Sequence, residues 1–138
     1  MTGIRGGEPG DLPVVAAIQQ ASPGCARWNV EDYAEHDFRV AVRDGRVAGF
    51  LVSRRVATDE SEVLNLAVAP EFRRKGVARA LVKAFLDDAA GAVYLEVRDS
   101  NTVARMFYKS MGFEEVSTRP GYYDHPPETA IVMKFHSC

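Results

Sequence analysis

The hydrophobic pattern of the first half predicts short strands around one helix. GIRGGEP suits a first short strand, and LPVVAAIQQA repeats apolar residues at helical spacing after Asp11, which we expect to cap that helix. The β-rich runs FRVAVR and RVAGFLVSRRV flank Asp44 and Gly45, a strong signal for a hairpin turn. EVLNLAVAP then predicts a nearly continuous apolar strand that stops at Pro70. Between the first helix and the hairpin we expect a loop and a short helix.

The second half predicts a strand–helix–strand unit followed by a helix and two closing strands. Apolar residues recur at helical spacing from Val77 to a stop at Gly91, and AVYLEVR then alternates as a strand. Ser100 or Asn101 can cap the next helix, which ends before Gly112. FEEVST and ETAIVMKF predict the closing strands, joined by the loop RPGYYDHPP. The fold class is therefore α+β (mixed α/β), with a right-handed crossover in the middle.

Length and composition indicate an ordinary globular protein. At 138 residues the chain fits a single domain over 1–138, with no signal-peptide pattern and no apolar run that could span a membrane. A net charge of -2 argues against a general nucleic-acid binder. Cys25 and Cys138 lack metal-ligand spacing, and His36, His125 and His136 form no triad or metal pattern. We expect a reduced, cytoplasmic protein without a metal.

A cluster of cations stands out in the otherwise slightly acidic chain. EFRRKGVARALV places Arg73, Arg74 and Lys75 before Gly76, with Arg79 one turn into the following helix. The first N–H groups of a helix lack intrahelical acceptors, and the helix dipole favours an anion there. A solvated basic turn explains the same residues equally well. The Walker and Rossmann phosphate-binding patterns are both absent from the sequence.

The run LNLAVAPEFRRKGVARA resembles the acetyl-CoA-binding segment of the GCN5-related N-acetyltransferases. That family's pattern, Gln/Arg-x-x-Gly-x-Gly/Ala, is matched by Arg73, Gly76 and Ala78. The resemblance implies a twisted, mostly antiparallel sheet with a central splayed parallel pair, flanked by helices. It also implies that the loop amides bind a pyrophosphate and that the preceding strand pairs with the pantetheine arm. The implied cofactor-binding residues are Leu66, Ala67, Val68, Arg73, Arg74, Lys75, Gly76, Val77, Ala78, Arg79, Asn101 and Tyr108.

A second run, LEVRDSNTVARMFYKSMGF, resembles the RimI-like N-terminal alanine acetyltransferases. Three positions depart from that pattern. Arg73 stands where glutamine is more usual, residues 120–121 are Pro-Gly where a second arginine and a polar residue are usual, and Thr129 replaces a common aspartate. The last two departures lie in the implied peptide-binding region, where they bear on which acceptor is bound.

The resemblance implies direct transfer of an acetyl group to an amine, without a covalent acetyl-enzyme. Glu96 is the candidate base, although a solvent-facing glutamate on an alternating strand is the ordinary interpretation. Tyr108 is the candidate acid for the departing thiolate, and it also fits a core tyrosine with its hydroxyl at the rim. The two readings of Tyr108 are compatible. Asn101 is either a helix cap or a cofactor ligand, and in the family it is a ligand.

The expected acceptor is the N-terminus of a protein or peptide, with a ribosomal protein as one candidate. Trp28, Tyr122 and Tyr123 are candidate acceptor-binding residues, with a packed aromatic loop as the alternative. Four carboxylates would attract a basic peptide or simply form a solvated face, namely Glu31, Asp32, Glu35 and Asp37. The competing functions are acetylation of a lysine or a small amine, and coenzyme A binding without turnover. We expect a monomer or weak dimer.

Overall fold

A computed structural model of the chain describes residues 2–22, 28–124 and 127–136. It contains seven strands, three α-helices and three short 3-10 helices within those ranges. The strands are β1 (Thr2–Gly6), β2 (Asp37–Arg43), β3 (Arg46–Ala57), β4 (Glu60–Val68), β5 (Ala92–Arg98), β6 (Glu114–Asp124) and β7 (Pro127–His136). The α-helices are α1 (Leu12–Gln20), α2 (Val77–Asp88) and α3 (Thr102–Ser110), and the 3-10 helices are Pro9–Asp11, Val30–Glu35 and Pro70–Phe72.

The strands form one hydrogen-bonded sheet in the order β1-β2-β3-β4-β5-β7-β6. The pairs β1–β2, β2–β3, β5–β7 and β6–β7 are antiparallel. The central pair β4–β5 is parallel, with residues 60–62 opposite residues 92–94. Because α2 connects these two parallel strands, the predicted strand–helix–strand unit is confirmed. The α+β class with a mostly antiparallel sheet and a central parallel pair is also confirmed.

The described residues pack into two compact units. The first comprises the residues up to Arg54 together with Leu64–Asp88, and the second comprises Arg55–Val63 together with the residues from Ala89 onward. A single domain over residues 1–138 therefore stays a prediction.

The first unit buries the apolar faces of α1 and α2 with strands β2 and β3. Helix positions at helical spacing are buried on α2, as the sequence pattern predicts. The Asp44 and Gly45 turn has φ of 54° and 73°, which matches the predicted tight hairpin. Fully or nearly fully buried members of this core include Val15, Ile18, Val40, Phe50, Leu51, Leu81, Val82 and Phe85.

The second unit is built around the alternation of β5. Val93, Leu95 and Val97 are buried, while Tyr94, Glu96 and Arg98 on the other face are only half-buried. On this face Leu95 and Val97 pair with the buried Met133 and Ile131 of β7. Tyr108 of α3 and Phe113, which follows that helix, are buried as well. The period-2 prediction for this strand is confirmed, and the opposite face is left for polar chemistry.

Two sequence-based expectations need correction. The predicted loop RPGYYDHPP is largely strand, because β6 continues to Asp124 and pairs with β7. Asp11 precedes α1 but makes no side-chain cap of that helix. Its carboxylate instead accepts hydrogen bonds from Arg5 at 2.8 and 2.9 Å and from the Glu8 N–H at 2.9 Å. An arginine within reach offers a carboxylate charge-assisted bonds, so this pair prevails over the cap.

Candidate active site

The basic loop in the first unit has the backbone of an anion cradle. Arg74 and Gly76 both adopt the left-handed region, with φ of 62° and 78°. Helix α2 begins at Val77, and the Gly76 carbonyl accepts its first bond from the Ala80 N–H at 3.0 Å. Because the turn reverses immediately before the helix, the first N–H groups of α2 lie at its start without intrahelical acceptors.

Two observations indicate that the loop suits the pyrophosphate of acetyl-CoA. Nothing lies within 4 Å of the position that a Cβ would occupy at Gly76, so a ligand can approach the backbone there. Arg74 and Lys75, the two residues before Gly76, are exposed and add positive charge near the start of α2. The residues present therefore suit a dianionic group, and the assignments on this loop stay predictions.

Arg73 has a second, structural task in the loop. Its Nε donates to the Val68 carbonyl at 3.2 Å, and its Nη2 donates to the Ala21 carbonyl at 3.1 Å and to Ser22 Oγ at 3.2 Å. These bonds tie the end of β4 to the residues after α1. The sequence interpretation treated Arg73 only as a cation for the ligand, and it missed this role because the partners lie about fifty residues away in the chain.

The β4 residues predicted to contact the pantetheine arm come directly after Asn65, which belongs to a buried polar cluster. The Asn65 amide donates to Gln19 Oε1 at 3.0 Å and to the Tyr33 hydroxyl at 3.1 Å. Asn65 Oδ1 accepts from the Leu66 N–H at 3.0 Å. This bond occupies the Leu66 N–H, and the predicted oxyanion role of a backbone N–H on this strand stays a prediction.

Trp28 lies beside β4 in the same unit. Its indole N–H donates to the Leu64 carbonyl at 3.1 Å, and its own carbonyl accepts from Gln19 Nε2 at 2.8 Å. The side chain is nevertheless 46% exposed. An anchored but exposed ring suits a contact surface, so the predicted acceptor role of Trp28 remains a prediction with a geometric basis.

Glu96 forms an ion pair in the second unit. Arg119 Nη1 donates to Glu96 Oε1 at 2.9 Å, and the two side chains are 55% and 18% exposed respectively. Glu96 Oε2 is buried and has no hydrogen-bond partner among the described residues. Burial raises the pKa of Glu96 above its ordinary value, Arg119 acts in the opposite direction, and the nearby Glu62 raises it further. A carboxyl with a raised pKa is a stronger base than an exposed one.

The paired tyrosines lie on a strand irregularity beside Glu96. On β6, Arg119 pairs with Ala130 of β7, but the next pair joins Tyr123 to Glu128, so β6 carries two extra residues between them. Gly121 accommodates this bulge with φ of 67°. The rings of Tyr122 and Tyr123 meet edge to face at 5.1 Å, and Tyr122 is 39% exposed. Burial, helped by Glu96, raises the pKa of Tyr123 to about 12.

Arg98 and Glu128 brace the same region. The Arg98 guanidinium lies 4.2 Å from the centre of the Tyr123 ring and donates to Glu128 Oε1 at 3.4 Å. The Ser100 N–H donates to Glu128 Oε2 at 2.6 Å. The pKa of Glu128 is lowered first by hydrogen bonding from the Ser100 side chain and then by this backbone bond. These contacts connect the ends of β5, β6 and β7, and they hold the Arg98 guanidinium against the Tyr123 ring.

Asn101 and Tyr108 belong to α3. The Asn101 side chain accepts from the Ala104 N–H at 3.1 Å, so the helix-cap role is confirmed, while the cofactor role stays a prediction. Tyr108 is only 7% exposed and packs edge to face against Phe107 and Phe113. Burial alone raises the pKa of its hydroxyl well above the usual tyrosine range, which keeps it protonated. A protonated, rigidly packed hydroxyl suits a proton donor.

An open depression of about 270 Å³ adjoins Glu96 within the second unit. Its described lining combines three carboxylates with one guanidinium and an apolar floor, and consists of Glu60, Glu62, Tyr94, Leu95, Glu96, Arg119 and Val132. The excess of negative charge suits an approaching ammonium group.

Several of these residues were not identified from the sequence. Arg119, Arg98 and Glu128 were missed as site residues. Arg119 contacts Glu96, Arg98 lies against the Tyr123 ring, and Glu128 pairs with Tyr123 in the β6–β7 ladder. The available signal was the position of Arg119 three residues before the paired tyrosines, and of Arg98 two residues after Glu96 on the same face of an alternating strand. Neither signal identifies a partner, because each partner lies on a different strand.

The described residues were also searched for a metal site and for a membrane-spanning helix. Within the described ranges, no three His, Cys, Asp or Glu side chains are grouped so as to hold a metal ion. None of the helices described is both long and apolar enough to cross a bilayer. Cys25, His125 and Cys138, which the sequence analysis considered, lie outside the described residues.

The fold and the family match define the class of protein. Residues 14–113 match the Acetyltransferase (GNAT) family, and the chain belongs to that family. It is an acetyl-CoA-dependent N-acetyltransferase, so the predicted enzyme class and family are confirmed.

Individual relatives narrow the comparison. The chain is 32% identical to the [Ribosomal protein bS18]-alanine N-acetyltransferase of Escherichia coli, with 96% of each chain covered. It is 37% identical to the N-alpha-acetyltransferase RimI of Mycobacterium tuberculosis, over 79% of this chain and 72% of that one. The crystal structure of the Escherichia coli ribosomal-protein-S18-alanine N-acetyltransferase superposes with a TM-score of 0.85 at 30% identity, covering 99% of this chain and 94% of that one.

Proposed function

We propose that this enzyme transfers the acetyl group of acetyl-CoA to the N-terminal α-amine of a protein, of the ribosomal-protein alanine type. The observation that carries the proposal is the half-buried Glu96 carboxylate, with its Oε2 atom buried, at the edge of an acidic depression and beside two paired tyrosines. The relatives described above are named as an alanine N-acetyltransferase of a ribosomal protein and as an N-alpha-acetyltransferase. These names support an N-terminal α-amine as the acceptor of this enzyme. A ribosomal acceptor also implies action in the cytoplasm.

Acetyl-CoA supplies an activated thioester acetyl group when it is bound. In the proposal, the start of α2 binds its pyrophosphate through the first N–H groups, Gly76 allows the close approach, and Arg74 and Lys75 balance the charge. The N–H groups of Ala67 or Val68 stabilise the negative charge that develops on the acetyl oxygen.

Glu96 acts on the acceptor. An α-amine has a pKa of about 7.7–8.0, so about one-tenth to one-sixth of such amines are neutral at pH 7. The remainder arrive as ammonium ions, which the acidic depression attracts. Glu96 takes the proton and leaves a neutral amine that attacks the acetyl carbon directly. A lysine amine, with a pKa of about 10.4, would demand more of the same base.

Tyr108 serves the departing thiolate. Its hydroxyl stays protonated because burial raises its pKa, and its packing against Phe107 and Phe113 limits the ring's motion. It donates its proton to the sulfur as the carbon–sulfur bond breaks. The nitrogen, which still carries one proton more than the product amide, releases it to the Tyr108 oxygen directly or through solvent, and the proton on Glu96 is released to solvent.

Mass spectrometry of peptides incubated with acetyl-CoA and the enzyme tests the acceptor class. The set contains peptides that begin with alanine, serine or methionine, and an alanine peptide with a blocked N-terminus and one internal lysine. We expect acetylation of the free α-amine, fastest for alanine, and none of the blocked peptide. Acetylation of lysine alone would keep the enzyme class and refute the proposed acceptor.

A further inference from the structure

Within the part of the chain that the structure describes, the Glu96 carboxylate has one hydrogen-bond donor, and that donor leaves one of its two oxygens without a partner. Arg119 donates a single hydrogen bond to Oε1 at 2.9 Å, whereas Oε2 is buried without a hydrogen-bond partner among the described residues. A carboxylate offers about four acceptor positions, and a buried oxygen left without a donor is unfavourable. The contact with Arg119 is therefore weaker than a fully satisfied ion pair.

Arg119 can leave Glu96 without a change in the sheet. Its backbone lies on the regular β6–β7 ladder opposite Ala130, immediately before the bulge at residues 120–122. Its side chain is 55% exposed, and its guanidinium lies 4.3 Å from the centre of the Tyr122 ring. The ring offers the cation a second favourable surface, so that rotation toward solvent keeps one stabilising contact.

The charges around Glu96 favour a cation in place of Arg119. The groups that face Glu96 are Glu60 and Glu62 from β4, Tyr94 and Arg98 from β5, and Arg119 and Tyr123 from β6. From β7, Glu128 bonds to Arg98 and Ser100, and Lys134 lies over the ring of Tyr94. Arg119 is the cation among the described residues that line the depression, and without it the lining carries three carboxylates.

We infer that Arg119 is a counter-ion that occupies the position of the acceptor's ammonium group and is exchanged for it on substrate binding. The inference rests on the proposed function, in which Glu96 receives the amine's proton. In the free enzyme Arg119 neutralises Glu96. On binding, an ammonium with three N–H donors replaces the guanidinium and satisfies the carboxylate more fully. One proton then passes from the ammonium nitrogen to Glu96, and Arg119 remains with Tyr122.

Steady-state kinetics of Arg119→Gln with the alanine peptide at pH 8 test the exchange. Removing the competing cation should lower the peptide KM about two- to fivefold, the factor by which a partly exposed ion pair is held. The kcat should change less than KM. Lys83→Gln on α2 is the matched control for net charge, because its exposed pair with Asp87 is remote in sequence from β5 and β6. A peptide KM that stays the same or rises in Arg119→Gln overturns the inference, as does a tenfold fall in kcat.

A titration of the substrate-free protein tests the contact between Arg119 and Glu96 without measuring activity. Carboxyl NMR of the ligand-free protein should show a higher pKa for Glu96 in Arg119→Gln than in the wild type, and an intermediate value in Arg119→Lys. If Arg119→Gln does not fold, Arg119→Lys still tests the exchange, because the loss of the planar bond to Oε1 should lower the peptide KM. An unchanged Glu96 pKa in the glutamine variant refutes the ion pair. A wild type that acetylates no α-amine refutes the proposed function, whatever the titration shows.

Discussion

Tyr108→Phe removes one oxygen atom from a site that the structure describes closely. The residue is 7% exposed, and its ring meets Phe107 and Phe113 at centroid distances of 5.2 and 5.4 Å. Phenylalanine keeps both aromatic contacts. Burial is the sole cause of the raised pKa of the hydroxyl, so the substitution breaks no charged or hydrogen-bonded contact that stabilises its ionised form.

These contacts predict a small change in the free energy of unfolding and a large change in kcat. The free energy of unfolding should change by less than about 1 kcal/mol, since the packing is retained and no hydrogen bond within the described residues is lost. Loss of a general acid should lower kcat by roughly 10²–10⁴-fold, or roughly 2.7–5.4 kcal/mol of transition-state stabilisation. Because the folded-state pKa lies above the usual tyrosine range, the wild-type rate should show no decline from ionisation of Tyr108 between pH 8 and pH 10.

The assay follows thiol release at saturating acetyl-CoA and peptide, with acetyl-CoA affinity measured by calorimetry. Tyr33→Phe is the contrasting control, because the Tyr33 hydroxyl accepts from Asn65 at 3.1 Å and bonds to Gln19. That variant should lose about 1–3 kcal/mol of stability and much less rate than Tyr108→Phe. A Tyr108→Phe enzyme within threefold of wild-type kcat would refute the acid role. A fall in acetyl-CoA affinity as large as the fall in kcat would make Tyr108 a binding residue instead.

Three further substitutions test the remaining assignments. Gly76→Ala, at φ of 78° with no atom near the new Cβ, should cost about 1–2 kcal/mol of backbone strain and weaken acetyl-CoA binding severalfold by calorimetry; unchanged affinity would argue against the cradle. Wild-type kcat/KM should rise as Glu96 loses its proton above the ordinary glutamate pKa. Glu96→Gln should lack that rise and instead gain about six- to tenfold between pH 7 and pH 9, as the acceptor α-ammonium loses its proton. A pH-independent rate in Glu96→Gln would contradict that account. Asn101→Ala should lose about 1 kcal/mol with its cap to Ala104 and Asn101→Asp should not, but both should bind acetyl-CoA more weakly if the amide is also a ligand.

Much of the fold was predictable because it depends on neighbours in the chain. The Asp44 and Gly45 turn, the alternation of β5 and the Asn101 cap each involve groups within a few residues of one another. The basic loop is local as well, since positive φ at Gly76 and the start of α2 at Val77 follow from a glycine before an apolar helical pattern. The family resemblance added the roles of Glu96 and Tyr108, which remain predictions.

The errors arose where a distant partner decides the structure. RPGYYDHPP has the composition of a loop, yet pairing with β7 makes most of it a bulged strand. Turn-forming residues such as Pro120 and Gly121 therefore mark an irregularity in the ladder here rather than its end. Asp11 has the sequence of a helix cap, but Arg5 and the Glu8 N–H compete for its carboxylate.

The sequence by itself determined the family and the order of the elements, and it singled out the candidate reactive side chains. Only the tertiary structure decided how those side chains are paired. Arg119 reaches Glu96 across 23 residues, Glu128 reaches Ser100 across 28, and both contacts depend on the order in which β5, β7 and β6 lie in the sheet. The physical reason is that local patterns record backbone preference and burial, whereas the charge state of Glu96 depends on desolvation and on groups that strand pairing alone brings within a few ångströms.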